Sequence, residues 1–220
     1  PCGTVVEYNS QQQIVWTWNS CDYLHAGDPQ THFNAFYFDE DKNVFYTSYR
    51  NISLVVKAAY PSGEVLARYA AAVNGTPWGN GMFYSQHNCS INSNGDLCLF
   101  NNNFNMLSTD PKYNDNRVSS VIVFHEPATK TDSLKKLWEF SCDIDTFAPA
   151  ITSGGGSMYE LDSGDYLVCM GLSNRDFIVS NDKKILWNVL TETYSCEWKP
   201  LAGYRVCPVR KKDLRKLLFR

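Results

Sequence analysis

Two histidines and one arginine are the side chains of this sequence whose types and spacing could do chemistry on an anion. His32 stands in Thr31-His32-Phe33-Asn34 and His87 in Ser85-Gln86-His87-Asn88, each opening a short run of β-forming residues. Arg50 closes a similar run, Thr47-Ser48-Tyr49-Arg50. Imidazole titrates nearest to neutrality, so two of them converging on one point suit acid/base or nucleophilic work. A guanidinium beside them would hold two oxygens of an anion at once. The plainer reading of all three is a set of polar residues lining a solvated channel without turning anything over.

The elements that must position these residues are strands. No segment before the last eleven residues sustains an apolar period of 3.6. Phe33 to Phe38, Val44 to Tyr49, Leu54 to Ala59 and Glu64 to Tyr69 are short β-branched and aromatic runs separated by turn residues, which reads as a four-stranded meander. The unit recurs. Asn88 to Asn92 turns at Asn94-Gly95 and returns as Asp96 to Phe100, and Ser157 to Leu161 turns at Ser163-Gly164 and returns as Asp165 to Met170. Ile14-Val15-Trp16, Val65-Leu66-Ala67, Lys136-Leu137-Trp138 and Ile185-Leu186-Trp187 fall at equivalent places near the end of each unit. A four-stranded unit repeated in this way predicts an all-β fold, a β-propeller of four-stranded antiparallel blades. Three blades are complete, near residues 32–70, 87–141 and 155–190. Two are partial: an N-terminal pair of strands near 4–8 and 13–18, and one C-terminal strand over Tyr204 to Val209 that would close the ring. On this placement His32 and His87 occupy equivalent positions of neighbouring blades and face one axis.

Composition bounds the rest. The chain has 220 residues, 44% of them apolar, with 20 Lys+Arg against 23 Asp+Glu. That is enough apolar matter for a packed core, and the weak negative charge argues against a nucleic-acid partner. No apolar run is long enough for a transmembrane segment. Pro1-Cys2-Gly3 is no leader, so any signal peptide is expected to be already removed or outside the sequence. Residues 1–209 read as propeller, either a small closed ring near four blades or the C-terminal part of a larger ring, and residues 210–220 as a basic amphipathic tail. The tail holds six Lys/Arg and one Asp, with Leu214, Leu217 and Leu218 at helical spacing, and reads either as packed on the body or as a docking or membrane-surface tail. Eight cysteines without a CxxC pair argue against zinc, and no metal or other cofactor is expected. With sequons at Asn51, Asn74 and Asn88, which are glycosylation candidates, the cysteines favour an exported chain, extracellular or periplasmic. Cys196 and Cys207 bracket a short loop and are the pair best placed for a bridge.

The ordered motifs resemble those of the arylsulfotransferase family. His32-x-Asn34, Ser48-Tyr49-Arg50-Asn51 and Pro61-Ser62-Gly63-Glu64-Val65-Leu66 are similar to one of its blades. Gln86-His87, Asn94-Gly95-Asp96 and Leu99-Phe100-Asn101-Asn102 are similar to the next, Gly156-Ser157 to Asp165 to a third, and Tyr204-Arg205-Val206 to its closing strand. The resemblance implies a six-bladed ring that transfers sulfate from one phenolic ester to another phenol through a sulfohistidine, without a nucleotide donor. It implies His32 and His87 as catalytic positions and Asn34, Arg50, Asn101, Asn102, Tyr204 and Arg205 as substrate-binding ones, with an aryl sulfate and a phenol as partners. The sequence also departs from the pattern. Asn101 stands where the family has aspartate, no arginine lies between Arg68 and Arg117, and no histidine follows His125, although one is expected near Ser153 to Gly156. The scaffold and part of the site are kept without an evident covalent carrier. The competing reading is therefore a non-catalytic exported propeller, an interaction or structural module, with another protein chain completing or covering its ring. A quinoprotein-type blade set fits less well, because the carboxylate cluster for its metal is missing.

Overall fold

The computed structural model describes residues 3–22, 31–70, 82–104, 117–127 and 134–209. Three four-stranded antiparallel sheets form in chain order: β3(Phe33–Asp39) to β6(Val65–Ala70), β7(His87–Ile91) to β10(Lys135–Ser141), and β11(Ser157–Glu160) to β14(Ile185–Leu190). Each is a meander from its first strand outward, with β4(Val44–Tyr49) and β5(Leu54–Ala59), β8(Leu97–Asn101) and β9(Ser120–His125), and β12(Tyr166–Cys169) and β13(Arg175–Val179) as the middle strands. First strands meet first strands: β7 lies against β3 and β4, and β11 against β7 and β8. These are blades of a β-propeller, stacked face to face with their first strands innermost.

Period-two alternation explains why the middle blade is apolar on both faces. Leu97, Leu99, Ile122 and Phe124 pack toward the first blade, against Val44, Tyr46, Val55 and Tyr69. Their chain neighbours Cys98, Phe100, Val121 and Val123 pack toward the third, against Met158, Tyr166, Val168 and Phe177. The aligned tryptophans are staples. Trp16 Nε1 donates to Pro61 O at 2.8 Å and Trp138 Nε1 to Asn181 O at 2.9 Å, so each pins the last strand of its sheet to a turn of the next blade. Trp187 stands at the corresponding place on β14 and is 46% exposed.

Two smaller sheets flank the blades. β1(Thr4–Tyr8) and β2(Ile14–Asn19) pair with each other and cover Phe45 and Ala58 of the first blade through Trp16 and Trp18. β15(Glu192–Tyr194) and β16(Trp198–Pro200) form an exposed hairpin after the third blade, which the sequence reading did not anticipate. Tyr204 to Val209 is not the expected closing strand. It runs irregularly beside the start of β11, where Val206 N–H donates to Ser157 Oγ at 3.2 Å and Gly156 N–H to Tyr204 O at 2.9 Å.

The Cys196–Cys207 pairing is also overturned. Both are exposed free thiols: Cys196 sits in the β15–β16 turn with φ of 64°, while Cys207 follows the segment docked on β11. Cys21 is disulfide-bonded, whereas Cys89, Cys98, Cys142 and Cys169 are buried free thiols. Burial pushes Cys89, Cys98 and Cys169 up to about 12, so these behave as small apolar fillers. Among the described residues, no helix is long and apolar enough to cross a membrane. Asn74 and the 210–220 tail lie outside the described residues.

Candidate functional site

The predicted residues gather at one end of the inner strands, but His32 and His87 are not equivalent. Each first strand carries a bulge at an asparagine. Phe33 pairs with Tyr49 and Ala35 with Ser48, skipping Asn34; His87 pairs with Phe100 and Cys89 with Leu99, skipping Asn88. Asn34 therefore matches Asn88, Phe33 matches His87, and His32 matches Gln86. The two asparagines do the same work, each reaching the first strand of the next blade: Asn34 Nδ2 donates to Gln86 O at 2.7 Å, and Asn88 Oδ1 accepts Met158 N–H at 3.1 Å. A one-residue offset on a pleated strand turns a side chain to the opposite face. His87 is 1% exposed, whereas His32, at φ of 52°, has an exposed ring.

His87 is held on both nitrogens. Asn102 Nδ2 donates to the carbonyls of Thr152 and Gly155 at 2.9 and 3.0 Å, which turns Asn102 Oδ1 to His87 Nδ1, 2.7 Å away. Gly155 N–H donates to Nε2 at 3.2 Å. A backbone amide can only donate, so Nε2 accepts and Nδ1 carries the proton. Burial pushes His87 down to about 4, and the charges of Arg50 and Arg205 add to that effect against the opposing Asn102 hydrogen bond. The ring edge meets Tyr204, with centroids 5.7 Å apart.

The strap over residues 152–156 supplies most of these contacts. It is the segment where the sequence comparison looks for a further histidine, and its middle admits little side chain. A Cβ on Gly155, at φ of 66°, would stand 2.8 Å from Tyr204 O, and one on Gly156, at φ of 113°, would enter the Phe100 ring at 2.3 Å. Thr152 N–H donates to Ser119 Oγ at 3.0 Å, and Leu172 N–H to Gly154 O at 3.2 Å, which ties the strap to two blades.

Two guanidiniums face the same place. Arg50, directly after β4, donates to Ser153 O and to Asn51 Oδ1, the latter at 3.2 Å. Arg205 donates to Asn34 O and lies 5.4 Å from the Tyr204 ring centre. Arg50 Nε, Arg205 Nε and Asn34 Oδ1 are buried without a hydrogen-bond partner. Partial burial and then the Arg50 charge pull His32 below its ordinary value, so its ring is neutral at pH 7. Among the described residues no group of His, Cys, Asp or Glu gathers to hold a metal.

The structure thus brings His32, Asn34, Arg50, His87, Asn102, Tyr204 and Arg205 together and leaves out Asn101. Asn101 accepts Tyr84 N–H and Asn103 N–H, both at 2.9 Å, and donates to Ser120 Oγ at 3.2 Å, which spends its carboxamide on the blade itself. Asn88 is 4% exposed, so a glycan there has no path to solvent in this fold, while Asn51 is half-buried beside Arg50.

Sequence reasoning passed over Arg117. Its Nη1 stands 3.1 Å from Asn103 Oδ1, with the guanidinium 4.9 Å from the Tyr84 ring centre. The available signal was topological: a connection between antiparallel neighbours returns to the end it left, so the segment leading into β9 comes back beside the segment leaving β8.

The family model for arylsulfotransferases (ASST) matches residues 4–200. No curated protein sequence matches the chain. Among solved structures it is similar to a protein of unknown function from Bacteroides caccae, at 14% identity and TM-score 0.49, over 85% of this chain and 54% of that one. It is also similar to the periplasmic gluconolactonase PpgL of Pseudomonas aeruginosa, at 13% and 0.47, over 84% and 53%. A third likeness is to BamB from Moraxella catarrhalis, at 13% and 0.43, over 87% and 44%. The chain spans about half the length of these proteins. The family match runs through all three four-stranded blades, and the chain belongs to the arylsulfotransferase family.

Proposed function

We propose that this propeller binds aryl sulfates between Arg50 and Arg205 and transfers sulfate slowly or not at all. The observation that carries the reading is the double engagement of His87. Covalent transfer needs a bare imidazole nitrogen to form an N–S bond as the S–O bond to the departing phenolate breaks. The Nε2 lone pair of His87 is occupied by Gly155 N–H, and the strap that holds it there is tied to two blades. His32 has a neutral, exposed ring, so it is the imidazole open to a sulfuryl group. Its ring has no partner among the described residues to orient it, and that orientation is what makes a histidine an efficient nucleophile.

The two buried guanidinium Nε groups without partners support an anionic ligand, since such groups are seldom left unpaired. Tyr204, 53% exposed beside His87 and Arg205, offers a ring edge to an aryl group. The same observation on His87 favours the second reading, an exported propeller that recognises aryl sulfates or sulfated partners without turnover. A six-bladed ring, with the remaining blades supplied beyond these residues, is part of the proposal, as are the export of the chain and glycosylation at Asn51 or Asn74.

The test is a nitrophenyl sulfate with a phenol acceptor, following both binding and release of the coloured phenol. Binding that Arg50→Ala weakens about tenfold or more, with little release, supports the reading. Rapid release that His32→Ala spares and His87→Asn removes, with an unchanged melt, overturns it and makes His87 the nucleophile.

A further inference from the structure

The two guanidiniums of the anion site and the strap over His87 share their hydrogen bonds. Arg50 Nη2 donates to Ser153 O, a strap carbonyl. Arg205 Nη2 donates to Asn34 O, and the carbonyl of its chain neighbour Tyr204 accepts Gly156 N–H at 2.9 Å. In a guanidinium, Nη2 stands beside the Nε hydrogen, and the two N–H groups form one fork. Each fork is half-filled here: a neutral backbone carbonyl holds Nη2, while Nε is buried without a partner. The strap itself is built to give way. Gly154-Gly155-Gly156 are three consecutive glycines, the residue that loses the most conformational freedom on ordering. Thr152, 2% exposed and bonded to Ser119 Oγ, is the fixed end. Beyond it, Gly154 O accepts from Thr152 Oγ1 at 2.9 Å and from Leu172 N–H at 3.2 Å, and Gly155 O accepts from Asn102 Nδ2 at 3.0 Å. Those bonds join neutral groups, whereas the bond from Arg50 to Ser153 has a charged donor.

We propose that residues 153–156 are a latch over His87 that an aryl sulfate opens by taking Arg50 from Ser153. The latch rests on the anion site between Arg50 and Arg205. A sulfate ester carries its charge on several oxygens, so it fills both N–H groups of a fork with charge-assisted bonds, which are about twice as strong as bonds to a neutral acceptor. Filling the Arg50 fork expels Ser153 O. Drawing Arg205 onto the same anion pulls on Tyr204 and on Gly156 behind it. The three glycines then lose an anchor at each end, and Gly155 N–H leaves His87 Nε2. A ligand shifts a conformation only through a difference in affinity for its two states. The two Nε groups supply that difference, because they lack a partner in the latched state and gain one in the opened state. The coupling is reciprocal: the latched state lowers the apparent affinity for the anion by the cost of opening. Any slow transfer to His87 passes through the opened state, and the latched state keeps the imidazole capped.

The experiment is amide hydrogen exchange, read by NMR on the whole chain with and without saturating nitrophenyl sulfate. The expected result is exchange about tenfold faster at Gly155 and Gly156, with the Leu99 and Ile122 amides of the middle blade unchanged. Arg50→Ala without ligand should give the same rise, because it too frees Ser153 O. Thr152→Val removes the hydroxyl that holds Gly154 O, so it should tighten nitrophenyl sulfate about threefold by lowering the cost of opening. The first comparison needs no variant, so a misfolded Arg50→Ala does not decide the matter. Binding of the ester with unchanged or slower exchange at Gly155 overturns the latch and leaves the anion site standing. No binding overturns the anion site, and the latch with it. An equal rise with sodium chloride at matched ionic strength in place of the ester also overturns the latch, because screening would then explain the opening.

Discussion

His32 and His87 sit at the starts of neighbouring inner strands, both within reach of the Arg50 charge, and share almost nothing else. His32 precedes its strand by one residue; its ring is exposed and unpartnered among the described residues. His87 begins its strand, is buried, and is fixed as one tautomer by an asparagine and a backbone amide. The residue that truly matches His32 is Gln86, whose Nε2 reaches into the first blade and donates to Ser48 Oγ, Tyr49 O and Leu54 O at 2.9 to 3.3 Å. A residue type therefore says little about role until the register is known. The bulge at each asparagine decides which face a neighbour takes, and the face decides between solvent and core.

The largest effect that would sharpen this contrast is in stability. His87→Ala removes a buried ring and leaves Asn102 Oδ1 and Gly155 N–H unpaired, so urea melts should show a loss of about 3 kcal/mol. His32→Ala should stay within about 0.5 kcal/mol, as for other exposed positions. Equal losses would break the comparison.

The pH dependence comes next. His87 is lowered to about 4 from an ordinary value of 6.5, so between those values the unfolded chain binds the extra proton and the folded one does not. Stability from this group is then full above pH 6.5 and falls as the pH drops toward 4. By proton linkage the loss is about 3 kcal/mol at most. Melts across that range should flatten in a folded His87→Asn variant and stay unchanged in His32→Ala.

Gly156→Ala tests the strap at the backbone. A methyl group at φ of 113° against Phe100 should cost about 2 kcal/mol and loosen Gly155 from His87, visible as a rise in the His87 titration midpoint by NMR. An unchanged midpoint would detach the strap from the imidazole.

The smallest effect repeats the lesson at the outer strands. Trp138→Phe removes the hydrogen bond to Asn181 O and should cost about 1 kcal/mol, while Trp187→Phe, at the corresponding place with its ring 46% exposed, should cost less than half of that.

Much of the fold was legible in the sequence because a blade is a local object. Period-two apolar runs, the Asn94-Gly95 and Ser163-Gly164 turns and the recurring tryptophans report contacts between segments close along the chain. They place β3 to β8, β11 and β12 within a residue of the expected bounds, while β9 and β13 fall in stretches for which the sequence reading gives no bounds. The site was half legible. Seven of the eight residues singled out lie together at one end of the inner strands, whereas Asn101 turns its carboxamide into its own blade and its neighbour Asn102 reaches His87. Aligning Asn34 with Asn88, instead of one histidine with the other, would have given the right register. The β15–β16 hairpin escaped because its exposed Tyr194 and Trp198 look like core residues to a pattern that assumes aromatics are buried.

By itself, the sequence determined the blade repeat, the order of the strands, the placement of polar groups at one end of the inner strands and the step in charge at residue 210. All of these follow from side-chain periodicity and turn chemistry, which act over a few residues. Tertiary structure alone decided that His87 is buried and His32 is not, that Cys196 and Cys207 remain free, that Arg117 returns beside Asn103, and that a glycine strap caps an imidazole 68 residues away in sequence. Each of those depends on where separate blades meet. The meeting is set by the packing of whole sheet faces and by one-residue bulges, whose effect on direction is large and whose trace in composition is slight.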